Sequence, residues 1–333
     1  MRNQAEKILI LGGAGYIGSV LSPFLQHQGY EVKVIDICWF GNYLPKDIPV
    51  EKKDILDLEI SDFEGYDSVI FLAGLSNDPM AEFSPRSNFI YNTGMPAYVG
   101  FMAKEAGVKR LLFASSCSVY GYTHNSTFTE TDPALSNYPY GVSKLQGERT
   151  LLALADENFS VICFRQGTVC GYSPRMRLDL AINTMFKNAI SLSEISLSNA
   201  KIWRPVLGLN DLCSAYHLAL QSSLSGGHVI NLSSFNTTIG ELAQELSEYM
   251  EEVHGKTVSL CDKKLQDYRN YKVSIEKAEE LLNYQPQQSA LTIFQDLSRN
   301  LNRFSDFENE RYSNIQVFKH HMKQNPEQAH LLV

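Results

Sequence analysis

The sequence predicts an α/β fold in which a doubly wound parallel sheet is followed by a smaller C-terminal α/β lobe. The first observation is a short apolar segment, Lys7–Leu11, that leads directly into a glycine-rich turn and then into a helical pattern. The second is the regular alternation of strand-like and helix-like segments over the first half of the chain. Alternation of this kind indicates parallel strands connected by crossover helices.

The individual elements follow from hydrophobic periodicity. Residues 16–27 have a helical pattern, and residues 31–37 form a second strand that carries Asp36 near its end. Further strands are expected at 67–73, 110–115 and 160–165, and long helices at 87–106 and 140–158. A strand, a glycine turn, a helix and a strand with a terminal acid make up one mononucleotide-binding half of a Rossmann-type sheet.

The pattern loosens after about residue 170. Helices are expected at 178–190, 211–222 and 239–253 and a strand at 228–232, whereas 192–202 is polar and irregular. We therefore divide the chain into a Rossmann domain over 1–170, to which some later segments return, a substrate-binding lobe over 171–303, and a C-terminal tail over 304–333. The tail is polar and poorly patterned, so we expect a frayed end in preference to a docking arm.

Composition limits the classes of function. The chain has 333 residues, of which 44% are hydrophobic and 20% charged, and its formal net charge is −8. Such an acidic protein is not expected to bind nucleic acid, which requires a concentrated basic surface. No apolar run reaches the length of a membrane span. The six cysteines lack zinc-site spacing, so no metal is expected, and without a signal peptide they indicate the reducing cytoplasm.

The glycine turn has the spacing of a dinucleotide-binding motif. Gly12, Gly15 and Gly18 follow the order G-x-x-G-x-x-G between a strand and a helix. Such glycines allow a tight turn, close approach of the backbone to a pyrophosphate, and close packing of helix on strand. Asp36 can accept hydrogen bonds from both ribose hydroxyls, which favours NAD over NADP. Asp54 is a candidate contact for the adenine amine, with a surface acid as the alternative.

A second motif points to proton transfer. Tyr140 and Lys144 are four residues apart and therefore share one face of a helix. A neighbouring ammonium favours the phenolate and makes the tyrosine a usable base, and the same lysine can hold the nicotinamide ribose. The pair alone is better explained as two residues on a helix surface, because this spacing is common. Ser116 changes that balance, because it lies at the carboxyl edge of the sheet, where such folds bind ligands.

The chain resembles the extended short-chain dehydrogenase/reductases, and among them the NAD-dependent epimerase/dehydratase family that acts on nucleotide sugars. The resemblance runs from Lys7 to about Leu301 and rests on the two motifs above and on five further segments. These are Leu72-Ala-Gly74, Ser115-Ser-Cys-Ser-Val-Tyr-Gly121, Ser173-Pro-Arg-Met-Arg-Leu-Asp-Leu180, Trp203-Arg-Pro205 and Asp267-Tyr-Arg-Asn-Tyr271.

The resemblance implies a division of roles among the site residues. Its catalytic residues are Ser116, Tyr140 and Lys144. Its cofactor contacts, besides Tyr140 and Lys144, are Gly12, Gly15, Tyr16, Ile17, Gly18, Asp36, Asp54, Ile55, Leu72, Ala73, Gly74 and Asn92. Its substrate contacts are Ser76, Ser116, Thr168, Arg175, Arg177, Asn183, Arg204 and Arg269. Guanidinium forks suit phosphate oxygens, although a structural ion pair is the alternative for Arg175, Arg177 and Arg269.

Two departures from the family pattern bear on the reaction. Sugar-nucleotide 4,6-dehydratases carry Asp-Glu directly after the catalytic hydroxyl, where this chain has Cys117 and Ser118. Neither side chain readily protonates a leaving hydroxyl, so ordinary 4,6-dehydration is not expected, and Cys117 is expected to be a buried, inert thiol. Many relatives also carry His-Val-x-Asp where this chain has Gly208-Leu-Asn-Asp211, so the contact usually made there is not carried over.

The sequence therefore predicts an NAD-dependent nucleotide-sugar 4-epimerase that works through a transient 4-keto sugar. A net 4-dehydrogenase or 4-ketoreductase, or an atypical dehydratase, is the alternative, because segment 173–180 resembles such relatives as closely. A non-catalytic NAD-binding protein is the third hypothesis, and the intact triad argues against it. Relatives commonly dimerise through two long helices of each subunit, so we expect a homodimer through 87–106 and 140–158.

Overall fold

The computed structural model describes residues 5–121, 126–265 and 270–324. Short and long strands alternate with helices throughout. The strands are β1 (Lys7–Leu11), β2 (Glu31–Asp36), β3 (Val50–Lys52), β4 (Ser68–Phe71), β5 (Arg110–Ser116), β6 (Thr127–Phe128), β7 (Ser160–Gln166), β8 (Thr168–Cys170), β9 (Glu194–Leu197), β10 (Trp203–Gly208), β11 (Gly227–Leu232), β12 (Phe235–Thr238), β13 (Ser259–Asp262) and β14 (Lys272–Val273).

A parallel sheet of seven strands forms the centre, in the spatial order β11-β7-β5-β4-β1-β2-β3. The chain winds outward from β1 in one direction through β2 and β3, and in the other through β4, β5 and β7. The prediction of a doubly wound Rossmann-type sheet is confirmed. In such sheets a crevice opens at the carboxyl ends of the strands, where the winding direction changes.

Helices cover the sheet and build the lobe beside it. They are α1 (Gly18–His27), α2 (Asp78–Phe83), α3 (Pro85–Phe89), α4 (Met95–Glu105), α5 (Pro139–Leu154), α6 (Ala181–Leu192), α7 (Leu209–Gln221), α8 (Ile239–His254), α9 (Glu276–Leu282), α10 (Ala290–Arg299) and α11 (Asn314–Gln324). None of these described helices combines the length and the hydrophobicity that crossing a membrane would require.

The helix expected at 87–106 is interrupted. A π-helical turn, Ile90–Gly94, separates α3 from α4. Such a turn adds a residue to the helical repeat and is frequent at functional sites. It includes Asn92, whose side chain is fully buried.

The smaller lobe contains a three-stranded sheet in the order β12-β10-β8 and a pair of parallel strands, β13 and β9. Strand β9 lies within 192–202, which we expected to be irregular, so that expectation is wrong. Its side chains alternate, with Ile195 and Leu197 buried and their neighbours exposed. Alternation over only four residues is too short to be recognised in a sequence. The hydrogen bonds that make β9 a strand come from β13, which is distant along the chain.

The segment from residue 304 onward is not a frayed end over its described part. Helix α11 packs on the loop after β2, where Phe318 is buried and its ring lies 4.7 Å from that of Trp39, edge to face. His321 Nε2 also lies 3.0 Å from the carbonyl oxygen of Trp39. The sequence offered little sign of this contact, because it depends on one apolar face of a short and otherwise polar helix.

Candidate active site

A cavity of about 560 Å³ lies at the carboxyl edge of the central sheet. Residues at or just beyond the ends of β1, β2, β4, β5 and β7 line one side of it, and segments of the smaller lobe line the other. Clefts of this size between a sheet edge and a second lobe are the usual place for a cofactor and its substrate.

The glycine turn forms the floor beside β1. Gly12 has φ +79°, and a Cβ there would lie 2.5 Å from the backbone nitrogen of Ala73. Gly18 has no room for a Cβ against the backbone of Gly13. Gly15 borders the cavity with only the Gly12 oxygen near its missing Cβ. The turn is therefore a cradle open to a ligand, and the positive end of α1 follows it, an arrangement that suits a pyrophosphate.

Asp36 lies beside this cradle. Its two carboxylate oxygens accept hydrogen bonds from the backbone nitrogens of Ala14, at 2.9 Å, and Cys38, at 2.7 Å. Burial raises the pKa of Asp36, while these two bonds and the charge of Arg175 lower it. The oxygens have further lone pairs to accept ribose hydroxyls, so the position fits the adenosine half of NAD.

Asp54 and Ile55 line the same end of the cavity. The carboxylate of Asp54 accepts hydrogen bonds from the Tyr91 hydroxyl, at 2.9 Å, and from the backbone nitrogen of Leu56, at 3.0 Å. Tyr16, Ile17, Leu72, Ala73 and Gly74 also line the cavity. The predicted cofactor residues are thus gathered around one cleft, with Asn92 and Lys144 as the exceptions.

Asn92 and Lys144 lie just behind the lining rather than in it. The oxygen Oδ1 of Asn92 is buried and has no hydrogen-bond partner among the residues that the structure describes, and a Cβ on Gly74 would collide with it. The same hypothetical Cβ would lie 3.7 Å from Lys144 Nζ. An unsatisfied acceptor and a buried amine thus flank Gly74, which lines the cleft, as expected if these groups hold the nicotinamide half of the cofactor.

Ser116 and Tyr140 both face the cavity. Ser116 ends β5, and its hydroxyl accepts a hydrogen bond of 3.2 Å from the backbone nitrogen of Ser118. Tyr140 stands in the first turn of α5, which also carries Lys144 one turn later. The structure therefore brings the predicted triad together, with two hydroxyls at the cavity wall and the amine behind them.

The electrostatics of the triad differ from the expectation in one respect. Burial raises the pKa of Tyr140, and the charge of Asp78 raises it further. A hydrogen bond with Ser116 and the charge of Arg177 act in the opposite direction. Burial also lowers the pKa of Lys144 to about 7. Burial, and not the charge of Lys144, therefore has the largest effect on the pKa of Tyr140.

Arg177 lies in the cavity wall near its middle. Its guanidinium pairs with Asp179, at 2.9 and 3.1 Å, and donates a hydrogen bond of 2.5 Å to Ser76 Oγ. Ser76, Arg177 and Thr168 are all predicted substrate contacts, and all three line the cavity. The charge of Arg177 also lowers the pKa of Tyr140. Arg177 therefore acts on the predicted proton-transfer residue and contacts a predicted substrate residue.

The far end of the cavity is built by β10 and the segment before β14. Arg204 stands over the ring of Tyr271, with Cζ 5.6 Å from the ring centroid. The Tyr271 hydroxyl lies 3.4 Å from Ser118 Oγ. Residues 196–199 complete this end. A guanidinium beside an aromatic ring and hydroxyl groups is suited to a nucleotide or sugar diphosphate.

Two predicted substrate residues lie elsewhere than expected. Asn183 does not line the cavity, because its amide is fully buried and bonds Gly171 N, the Tyr16 hydroxyl and the Arg177 carbonyl. Arg175 lines the opposite, adenosine end, over the ring of Phe40. Arg269 lies outside the described residues.

Cys117 matches the expectation of a buried thiol. It is fully buried, and its Sγ lies 3.0 Å from the Arg165 carbonyl oxygen. Burial raises the pKa of Cys117 well above its usual range. A thiol in this state is a poor acid or base at neutral pH, so it does not replace the acidic pair of the 4,6-dehydratases.

Several residues that line the cavity were not predicted from the sequence. Trp39 and Phe40 follow β2, and an aromatic pair three residues after the acid of a mononucleotide-binding unit was an available signal. Asn77 lines the cavity with φ +79°, an unusual conformation for a residue other than glycine. Asn314 gave no signal, since it lies at the end of the chain in a polar segment.

Comparisons with known proteins agree with this architecture. A family model described as "NAD dependent epimerase/dehydratase family" matches residues 8–233. The UDP-glucose 4-epimerase of Bacillus subtilis (strain 168) is 27% identical over 284 residues, which cover 75% of this chain and 83% of that protein.

Two solved structures share the fold. The epimerase Mth375 from Methanothermobacter thermautotrophicus has a TM-score of 0.80 and 24% identity, and the match covers 91% of this chain and 95% of that one. MoeE5 in complex with UDP-glucuronic acid and NAD has a TM-score of 0.77 and 24% identity, with coverage of 89% and 100%. Since the family model spans more than half of the residues, the chain belongs to the NAD-dependent epimerase/dehydratase family.

Proposed function

We propose that this protein is an NAD-dependent nucleotide-sugar 4-epimerase that inverts C4 of a UDP-hexose. The observation that carries the proposal is that Ser116 and Tyr140, joined by a side-chain hydrogen bond, line the same cavity as the dinucleotide cradle and Arg204. The choice of uracil as the base follows the relatives, among which UDP-glucose 4-epimerases recur. The absence of an acidic pair after Ser116 argues for inversion over dehydration.

The residues of the chain have distinct tasks in this reaction. Tyr140 takes the proton of the C4 hydroxyl and returns it, while Ser116 donates a hydrogen bond to the same oxygen. The charge of Arg177 lowers the pKa of Tyr140 and so opposes the effect of burial. Lys144, one turn further along α5, is proposed to hold the nicotinamide ribose. NAD held by the glycine cradle and Asp36 would supply the hydride acceptor and donor for C4. No net redox change results, so the cofactor has no need to leave between turnovers.

Arg204 and Tyr271 are proposed to hold the nucleotide diphosphate. The Tyr271 hydroxyl lies 3.4 Å from Ser118 Oγ, two residues after Ser116, so a sugar attached to a diphosphate held here would lie close to Ser116 and Tyr140. The planar guanidinium of Arg204 can donate two hydrogen bonds to phosphate oxygens, and it lies over the ring of Tyr271.

Equilibration from both directions tests the function. UDP-glucose and UDP-galactose, incubated separately with the protein, are expected to reach one common mixture without accumulation of NADH. Tyr140→Phe is expected to lower the rate by about 10²–10⁴-fold because it removes the proton-transfer group. Tyr66→Phe, a half-buried tyrosine outside the cavity, is the matched control. Unchanged turnover in Tyr140→Phe, or net NADH production, would exclude this mechanism.

We also propose a homodimer built through α3, α4 and α5. Phe89, Tyr98 and Phe101 are 41%, 48% and 48% exposed and project from α3 and α4. Exposed aromatic side chains on two consecutive helices favour association with a second copy.

A cytoplasmic location is part of the same proposal. All six cysteines are free, and Cys117, Cys163, Cys170 and Cys213 are buried thiols. Thiols without disulfides suit a reducing compartment, where nucleotide sugars are made.

A further inference from the structure

Arg175 is a buried cation without a carboxylate partner. It is 2% exposed, yet within the described part of the chain its guanidinium forms no ion pair. Arg177, by contrast, pairs with Asp179. Burial and the charge of Arg177 lower the pKa of Arg175 to about 9. Burying a charge without a partner is costly, so a buried arginine of this kind indicates an anionic ligand.

The Arg175 guanidinium has N–H groups that the described residues do not use as donors. Its Nη2 donates to Asn314 Oδ1 at 2.5 Å, and its Nη1 makes a long contact of 3.4 Å with the Met176 carbonyl oxygen. Its Nε has no acceptor among the described residues. A guanidinium carries five N–H groups, so several remain for the oxygens of a ligand in the cavity that Arg175 lines.

The position of Arg175 identifies which ligand it meets. Its Cζ lies 4.0 Å from the centroid of the Phe40 ring, in the loop after β2. Asp36 is close enough to Arg175 for the arginine's charge to lower the pKa of the Asp36 carboxyl. The substrate end of the cavity, with Arg204, is formed by other elements. The anion nearest Arg175 therefore belongs to the adenosine half of the dinucleotide.

We infer that Arg175 binds the diphosphate of the dinucleotide on its adenosine side, and that Asn314 is a positioning residue that holds the guanidinium there. The inference rests on NAD as the cofactor of the proposed function. It assigns Arg175 to the cofactor, whereas the family resemblance implied a substrate contact.

Helix α11 gives this contact its support. The backbone nitrogen of Asn314 donates to Asp179 Oδ2 at 3.0 Å, which ties the start of the helix to the Arg177 pair. Phe318 and His321 tie the rest of it to Trp39. The helix thus joins the smaller lobe to the loop after β2 across the adenosine end. Helix α11 lies outside residues 8–233, the part of the chain that the family model matches.

Calorimetric titration of the full chain, stripped of cofactor, tests the assignment. ADP-ribose probes the cofactor diphosphate, and UDP probes the substrate diphosphate. For Arg175→Met we expect ADP-ribose to bind about 10- to 100-fold more weakly and UDP to bind within twofold of the wild type. A loss of UDP affinity instead would place Arg175 on the substrate, and unchanged ADP-ribose affinity would make it structural. Either result overturns the inference.

A second variant separates anion binding from folding. Asn314→Asp places a carboxylate against Arg175, which satisfies the cation and preserves the contact that supports the helix. We expect an unchanged or higher Tm together with weaker binding of ADP-ribose. Gln316→Asp, on the exposed side of the same helix, adds the same charge and should leave ADP-ribose affinity within twofold. Tight ADP-ribose binding by Asn314→Asp contradicts the inference.

Failure of the Arg175 assignment can be distinguished from failure of the proposed function. A wild-type protein that binds ADP-ribose but epimerises no sugar leaves the role of Arg175 standing. A wild-type protein that binds no ADP-ribose removes both.

Discussion

The ammonium of Lys144 lies over the ring of Phe113, with Nζ 4.9 Å from the ring centroid. This contact is its main electrostatic compensation, because within the described residues Nζ has neither a hydrogen bond nor an ion pair. The side chain is 4% exposed, and burial lowers its pKa to about 7. The lysine therefore destabilises the cofactor-free protein while remaining available to a ligand.

This relationship predicts a pH-dependent gain of stability in Lys144→Met. The folded pKa of about 7 lies below the unfolded value near 10.5, so the unfolded state binds more protons between these limits. The cost of the lysine is complete below pH 7 and decreases as the pH rises. The advantage of Lys144→Met in free energy of unfolding should thus shrink by about 2–3 kcal/mol from pH 7 to pH 9. Urea unfolding of both cofactor-free proteins measures it, and parallel pH profiles would show that Lys144 is not desolvated.

Arg204→Lys tests the substrate end. The lysine retains the charge but loses the planar fork and its stacking on Tyr271. We expect UDP to bind about 10- to 100-fold more weakly, since charge-assisted bidentate contacts are worth roughly 1.5–3 kcal/mol. ADP-ribose affinity is the internal control and should not change. Equal losses for both ligands would mean that Arg204 supports the cavity as a whole.

The proposed dimer is tested by charge on its aromatic surface. The double variant Tyr98→Asp, Phe101→Asp should sediment as a monomer, because a dimer would bury four carboxylates. Leu192→Asp is the matched control, since Leu192 is 67% exposed at the end of α6. Analytical ultracentrifugation should find the wild type and this control as dimers. A wild type that is monomeric at micromolar concentrations would disprove the proposal.

A buried ion pair beside the end of β5, which carries Ser116, predicts a large change in stability. Glu148 and Arg165 are in contact at 2.6 Å, and Glu148 also accepts a hydrogen bond from Ser115, next to Ser116. Arg165→Met leaves a buried carboxylate without its partner, which should cost about 3–5 kcal/mol of unfolding free energy. The double variant Glu148→Met, Arg165→Met should recover much of that loss. Denaturant unfolding distinguishes them, and a double variant as unstable as the single one would contradict this explanation.

The sequence predicted most of the central sheet because its longer strands are marked locally, whereas the three-residue strand β3 was not predicted. Lys7–Leu11 is apolar and bounded by the glycine turn, and Asp36 closes the next strand. The residues at the strand ends then meet at one edge by geometry alone. Prediction of the triad needed only the helical spacing of Tyr140 and Lys144 and the place of Ser116 at a strand end.

The remainder of the site depends on contacts between distant segments. Asn183 and Arg175 both stand in or beside a recognised motif, but motif matching assigns a residue type and not the direction of its side chain. Asn183 turns inward to Tyr16, and Arg175 turns toward Phe40 and Asn314. Asn314 is more than a hundred residues from either, and local pattern contains no information about such pairing.

The most direct test of the central claim follows the hydrogen at C4. UDP-glucose deuterated at C4 is converted with the wild-type protein in the presence of excess unlabelled NAD and NADH, and the product is analysed by mass spectrometry. Retention of the deuterium in UDP-galactose is the predicted result, because one hydride leaves C4 and returns to it within a single turnover. Replacement of the deuterium by hydrogen would mean exchange with free cofactor, and would contradict an epimerase that retains its NAD.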